Sequence, residues 1–115
     1  AFFDEVMAHE RFAGRSWSSQ AEEIAAALPE QIYVSFDIDG LDPALCPGTG
    51  TPVPGGLGFN EAVYLLASVA RSGRRIIGFD LVEVAPGGGR DGWDGNVGAR
   101  ILYKLIGWSL RSFGR

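Results

Sequence analysis

Two carboxylates spaced two apart at the end of an apolar run are the side chains of this chain best suited to chemistry. They are Asp37 and Asp39 in Val34-Ser35-Phe36-Asp37-Ile38-Asp39-Gly40-Leu41-Asp42-Pro43. Alternate side chains of a strand share a face, so Ile32, Val34, Phe36 and Ile38 are predicted on one side. Tyr33, Ser35, Asp37 and Asp39 then fall on the other. Carboxylates that close repel and raise each other's pKa unless a cation or a shared proton sits between them. Ligation by oxygen alone favours a hard ion such as Mg²⁺, Mn²⁺ or Ca²⁺. The same residues also fit a solvated strand-to-loop turn, in which Asp is a common residue. Gly40 frees the backbone to turn, and Pro43 holds Asp42 extended.

A strand from Ile32 must deliver these carboxylates, and the residues around it supply its supports. Ser19 with Glu22 fits a capping box for a helix running to Leu28, where Pro29 stops it. Beyond a glycine-rich loop that includes Pro47-Gly48-Thr49-Gly50-Thr51-Pro52, Asn60 is the expected N-cap of a helix over 61–72. Ala62, Leu65, Leu66 and Val69 form its apolar stripe, and Gly73 stands at its C-terminal cap. Arg75 to Val84 reads as a second buried strand. Strand, helix and strand in that order predict a βαβ unit with parallel strands. Ligands of open α/β sheets bind at the C-terminal strand edge, so Glu83 could share a cleft with Asp37 and Asp39; an ordinary strand-end charge is the alternative. The loop Ala85 to Gly92 leads to a closing helix from about Trp93, with Val97, Ile101, Leu105 and Trp108 as its buried stripe. Gly95 and Gly98 weaken that helix, and close packing against a neighbour would explain them. Two strands are too few for a stable parallel sheet, so the chain is expected to be part of a larger domain or to gain strands from a partner.

Composition narrows the partners. The 115 residues suit one domain, and a net charge of -4 argues against nucleic-acid or anionic-membrane surfaces. Small metabolites are the expected partners. The single cysteine, Cys46, excludes an internal disulfide framework and suits a reducing compartment. With no membrane-length apolar run and no signal peptide, a cytoplasmic protein is expected. The chain opens without methionine on Phe2 and Phe3, as though entering mid-element, and the N-terminal portion of the domain is expected to be absent. His9 is the only histidine and, alone, fits a surface or packing role better than a metal ligand.

Several site motifs can be weighed on these residues. A calcium loop fails because Leu41 stands where a ligand belongs and Gly48 replaces the closing Glu. The loop from Pro47 to Gly56 has neither a Walker nor a G-x-G-x-x-G pattern. Phe36-Asp37-Ile38-Asp39-Gly40 resembles the first motif of haloacid-dehalogenase-type phosphatases, but Leu41 replaces their threonine and no downstream lysine and acidic pair matches. The longer pattern, Ser35 to Pro43, Pro47 to Pro52, Gly55-Gly56-Leu57 and then Gly78-Phe79-Asp80-Leu81-Val82-Glu83-Val84-Ala85-Pro86, closely resembles the ureohydrolase family of arginase, agmatinase, guanidinobutyrase and formimidoylglutamase. The resemblance runs from about Tyr33 to Trp108.

That resemblance implies the C-terminal part of a three-layer α/β/α arginase-like fold. It also implies a two-manganese hydrolase in which metal-activated water attacks a guanidinium or amidine carbon. By motif position Asp37 and Asp39 would be manganese ligands, Glu83 would hold the guanidinium by paired hydrogen bonds, and Thr49 would lie beside the substrate. Trp93-Asp94-Gly95-Asn96-Val97-Gly98-Ala99-Arg100 looks more like agmatinase or formimidoylglutamase members than arginase. Family members also carry an upstream histidine ligand and an Asp-x-His-x-Asp strand, both lacking here. The expectation is therefore a homo-oligomeric, manganese-dependent enzyme acting on a small guanidino or amidino substrate. No catalytic set is complete in this chain, and the 115 residues alone would be inactive. The alternative is a non-catalytic fragment or degenerate paralogue acting as an interaction module.

Overall fold

The computed structural model describes residues 1–86 and 91–114. Its elements are α1 (Asp4–Phe12), α2 (Trp17–Ala26), β1 (Gln31–Asp37), α3 (Phe59–Arg71), β2 (Arg75–Val82) and α4 (Trp93–Phe113), with 3₁₀ turns at Ile38–Gly40 and Pro43–Leu45. β1 and β2 pair in parallel from Gln31 against Arg75 to Asp37 against Val82, with one bulge between Ile32 and Tyr33. The expected βαβ order is present, and both strands end level.

The alternation along β1 decides where the core lies. Ile32 is buried and Val34 and Phe36 pack against buried residues, while Tyr33, Ser35 and Asp37 are exposed. α4 lies on β2, α3 on α4, and α2 on α3, which places the helices on the apolar face. The opposite face leaves Tyr33, Ser35, Ile77 and Val82 in the open. A parallel sheet ordinarily has both faces covered, whereas this face is open among the described residues.

Two buried clusters join the layers. One gathers Ile38, Leu41 and Cys46 from the loop with Ala62 and Leu66 of α3 and Val97, Ile101 and Leu105 of α4. The other joins Ala25, Ile32, Val69, Ala70 and Ile76 at the far end of the sheet. The predicted stripes on α3 and α4 are therefore the faces that bury, with Leu65 and Trp108 at their half-buried margins.

The helix ends correct the sequence reading in two places. α2 is capped by Ser16, whose hydroxyl accepts the Ser19 N–H at 3.0 Å, so it begins at Trp17 and Ser19 lies inside it. Trp17 Nε1 donates to the Glu61 carbonyl at 3.0 Å, a tertiary bond that favours the earlier start. α3 is capped at Gly58 rather than Asn60, because the Glu61 carboxylate reaches back to accept the Gly58 N–H at 2.8 Å. Gly73 follows α3 with φ 93°, the left-handed turn expected there. Gly98 has Val84 methyl carbons 3.0 and 3.2 Å from where a Cβ would stand, so close packing accounts for it; Gly95 has no such neighbour. The predicted loop Ala85 to Gly92 lies outside the described residues over 87–90, as does Arg115.

Candidate functional site

The carboxylates meet through a turn rather than a continued strand. β1 ends at Asp37, whose Oδ1 accepts the Asp39 N–H at 3.0 Å, and Ile38–Gly40 winds into a 3₁₀ turn capped by that contact. A short Asp side chain bonding the backbone two residues on is what lets Asp-x-Asp-Gly turn so tightly. Asp39 therefore reaches the neighbourhood of Asp37 by leaving the strand, which corrects the parity argument. The Asp37 carboxyl is pushed above the usual carboxylate range: withdrawal of water is the largest cause, the Asp39 N–H opposes it, and the Asp39 carboxyl adds to it. Asp37 remains exposed at the sheet edge, so this withdrawal is partial.

The glycine-rich loop is tied to the turn by its backbone. Leu57 N–H donates to the Gly40 carbonyl at 2.9 Å and Asp42 N–H to the Leu57 carbonyl at 2.8 Å. This brings Gly56 so near Leu41 that a Cβ there would overlap the Leu41 carbonyl. Only glycine permits that approach.

Residues 49–51 then span the two strand ends. Thr49, buried, donates its hydroxyl to the Glu83 carbonyl at 2.9 Å. Gly50 has Glu83 Oε2 4.0 Å from its would-be Cβ, and Thr51 donates to Asp39 Oδ2 at 2.6 Å. Adjacent Cα atoms lie only about 3.8 Å apart, so Glu83 and Asp39 are neighbours of one short stretch. Glu83 sits just past β2, not within it, and has φ 69°, the sole non-glycine with positive φ among the described residues. Such a conformation is uncommon for a long side chain and is held here by its surroundings. Sequence reasoning singled out Thr49 and passed over Thr51, although Thr51 makes the direct contact with a carboxylate. It also missed Asp94 in the first turn of α4, which is buried and accepts the Gly48 N–H on Oδ2 at 2.8 Å.

As a metal site the donor set suits a hard divalent cation in kind but is short in number. Neither hydrogen bond above uses Asp37 Oδ2 or Asp39 Oδ1. Among the described residues, however, no group of three or more His, Cys, Asp or Glu side chains could hold a metal ion. His9 is exposed on α1, apart from this edge in the sequence, and belongs to no group of three potential ligands among the described residues.

The arginase family model matches residues 5–107, which contain every element of this edge. The chain belongs to the arginase family. The match extends upstream of the Tyr33-to-Trp108 resemblance to take in α1 and α2. Among relatives in the arginase family, the N(1)-aminopropylagmatine ureohydrolase of Thermus thermophilus is 46% identical over 86 residues, which cover 75% of this chain and 28% of that protein. The guanidinobutyrase of Pseudomonas aeruginosa is 39% identical over 99 residues, covering 82% and 30%. The solved proclavaminate amidino hydrolase of Streptomyces clavuligerus superposes with a TM-score of 0.77 at 35% identity, covering 90% of this chain and 34% of that one. The fold is thus a piece of the arginase α/β architecture. The chain spans about three-tenths of the length of the curated relatives it matches. No helix among the described residues is long and apolar enough to cross a membrane.

Proposed function

We propose that these residues are the C-terminal portion of a single ureohydrolase domain and supply part of a two-manganese site that hydrolyses the C–N bond of a guanidino or amidino compound. The substrate class takes in the agmatinase, guanidinobutyrase, arginase and formimidoylglutamase types. What carries the reading is the short stretch 49–51, which ties Glu83 to Asp39 at one sheet edge. The relatives' names support it, because each is an enzyme named for a ureohydrolase or guanidino-group reaction. Family membership takes the place of the phosphatase alternative.

Asp37 and Asp39 would hold manganese through their carboxylates. The bound ions would supply hydroxide near neutral pH and positive charge at the reacting centre. Asp39 is oriented for this by Thr51, and Asp37 by the Asp39 N–H. Glu83 would accept two parallel N–H bonds from a planar guanidinium and so fix the carbon that reacts. Thr49 lies beside the substrate in this reading and acts on it through the Glu83 backbone. The 115 residues alone lack the remaining ligands and are inactive, and the working enzyme is a cytoplasmic homo-oligomer with no nucleic-acid or membrane partner.

A second reading is a non-catalytic fragment or degenerate paralogue serving as an interaction module. Assay of urea or amide release separates the two. The complete Mn²⁺-loaded protein is expected to hydrolyse guanidino or amidino compounds and to lose the activity in Asp37→Asn, with none from the 115 residues alone. A complete protein inert toward all of these compounds leaves only the module.

A further inference from the structure

We infer that Asp94 is a positioning residue for the substrate grip, acting on Glu83 through Gly48 and Thr49. The inference rests on the reading of Glu83 as the guanidinium-holding carboxylate. Asp94 is only 2% exposed, and burying a carboxylate is unfavourable unless it is well bonded. Its place in the first turn of α4 offsets part of that cost, since a helix N-terminus favours negative charge. One oxygen accepts the Gly48 N–H, while Oδ1 has no hydrogen-bond partner among the described residues. Among the described residues, the Gly48 N–H is the partner that accounts for holding this side chain there.

That bond lands at a sensitive place. Gly48 precedes Thr49, whose hydroxyl holds the Glu83 carbonyl, and Glu83 is held at φ 69°. A residue in that conformation relaxes to ordinary extended backbone if its restraint is lost, and its side chain then points elsewhere. Behind it, Val84 is packed against Gly98 of α4, so the same helix presses on the strand end and holds the loop. α4 thereby fixes Glu83 from two sides: directly through Val84, and through Asp94, Gly48 and Thr49.

The test uses the complete, Mn²⁺-loaded protein with Asp94→Ala, Asp94→Asn and Thr49→Val. Asn keeps an oxygen that can accept the Gly48 N–H, whereas Ala does not. Asp94→Ala and Thr49→Val are expected to raise KM for a guanidino substrate roughly 10- to 100-fold, the scale of a misplaced binding group, with manganese content unchanged. Asp94→Asn is expected to recover KM to within about threefold of wild type. Amide exchange gives a readout apart from turnover: the Gly48 N–H should exchange at least about tenfold faster in Asp94→Ala and not in Asp94→Asn. Activity that falls with KM unchanged, an Asn variant as impaired as Ala, or unaltered Gly48 exchange would each overturn the inference while wild-type turnover stands. A wild-type protein that turns over no guanidino or amidino compound would overturn the reading of Glu83 and this inference with it.

Discussion

The loop over 38–58 and helix α1 reverse the usual relation between regularity and burial. α1 is a regular helix with no buried residue, bearing exposed Val6 and Phe12. The loop has only two 3₁₀ turns, yet Ile38, Leu41 and Cys46 are each at most 1% exposed, and Thr49 is 5% exposed. The loop is built into the core, held by the Leu57-to-Gly40 and Asp42-to-Leu57 backbone bonds and by Asp94 of α4, which accepts the Gly48 N–H. α1 is secured chiefly by side chains, with Arg11 paired to Glu61 at 2.7 Å and stacked over Trp17. In this chain the site is carried by buried irregular backbone, which α4 braces through Asp94 and Gly98.

Substitutions graded by expected effect can break that contrast. Leu41→Ala removes a fully buried side chain of the loop and is expected to cost about 2–5 kcal/mol of unfolding free energy in urea titrations. Gly56→Ala places a methyl against the Leu41 carbonyl and should cost about 3 kcal/mol by the same titration, with the Leu57 N–H losing exchange protection. Ser16→Ala removes the α2 cap, for about 1 kcal/mol. Arg11→Ala should cost no more than about 1 kcal/mol, because its partner Glu61 is substantially exposed and water screens the pair. A change on α1 that destabilises as much as Leu41→Ala would erase the distinction.

The burial of Cys46 in the loop has a chemical consequence. Burial is the main cause that pushes its thiol up, and the carboxylates of Asp94, Asp39, Asp37 and Asp42 push the same way. A raised thiol pKa means less thiolate at any pH below it, so the native protein should resist alkylation at pH 8 and react once unfolded. Rapid native alkylation would mean that the loop opens.

Much of the sheet was legible because burial imposes a period of two: Ile32, Val34 and Phe36 gave the buried face and Tyr33 and Ser35 the open one. Gly73 was legible because left-handed backbone selects glycine. The carboxylate pair was legible in kind, but Asp39 was placed on the strand because parity has no way to register a side chain that bonds its own backbone. The α2 cap moved because Trp17 bonds the distant Glu61 carbonyl, which a local pattern does not contain; the α3 cap moved through a local bond, the Glu61 carboxylate reaching back to the Gly58 N–H. Asp94 was hidden for the opposite reason. An acid in the first turn of a helix is ordinary, and only its burial against Gly48 sets it apart.

In the proposed function, Asp37 and Asp39 are two ligands of a site these 115 residues do not complete. Manganese content of the purified chain, after incubation with Mn²⁺ and desalting, tests it most directly. No retained metal is expected from the 115 residues, and about two ions per chain from the complete protein. Two ions retained by the 115-residue chain alone would contradict it.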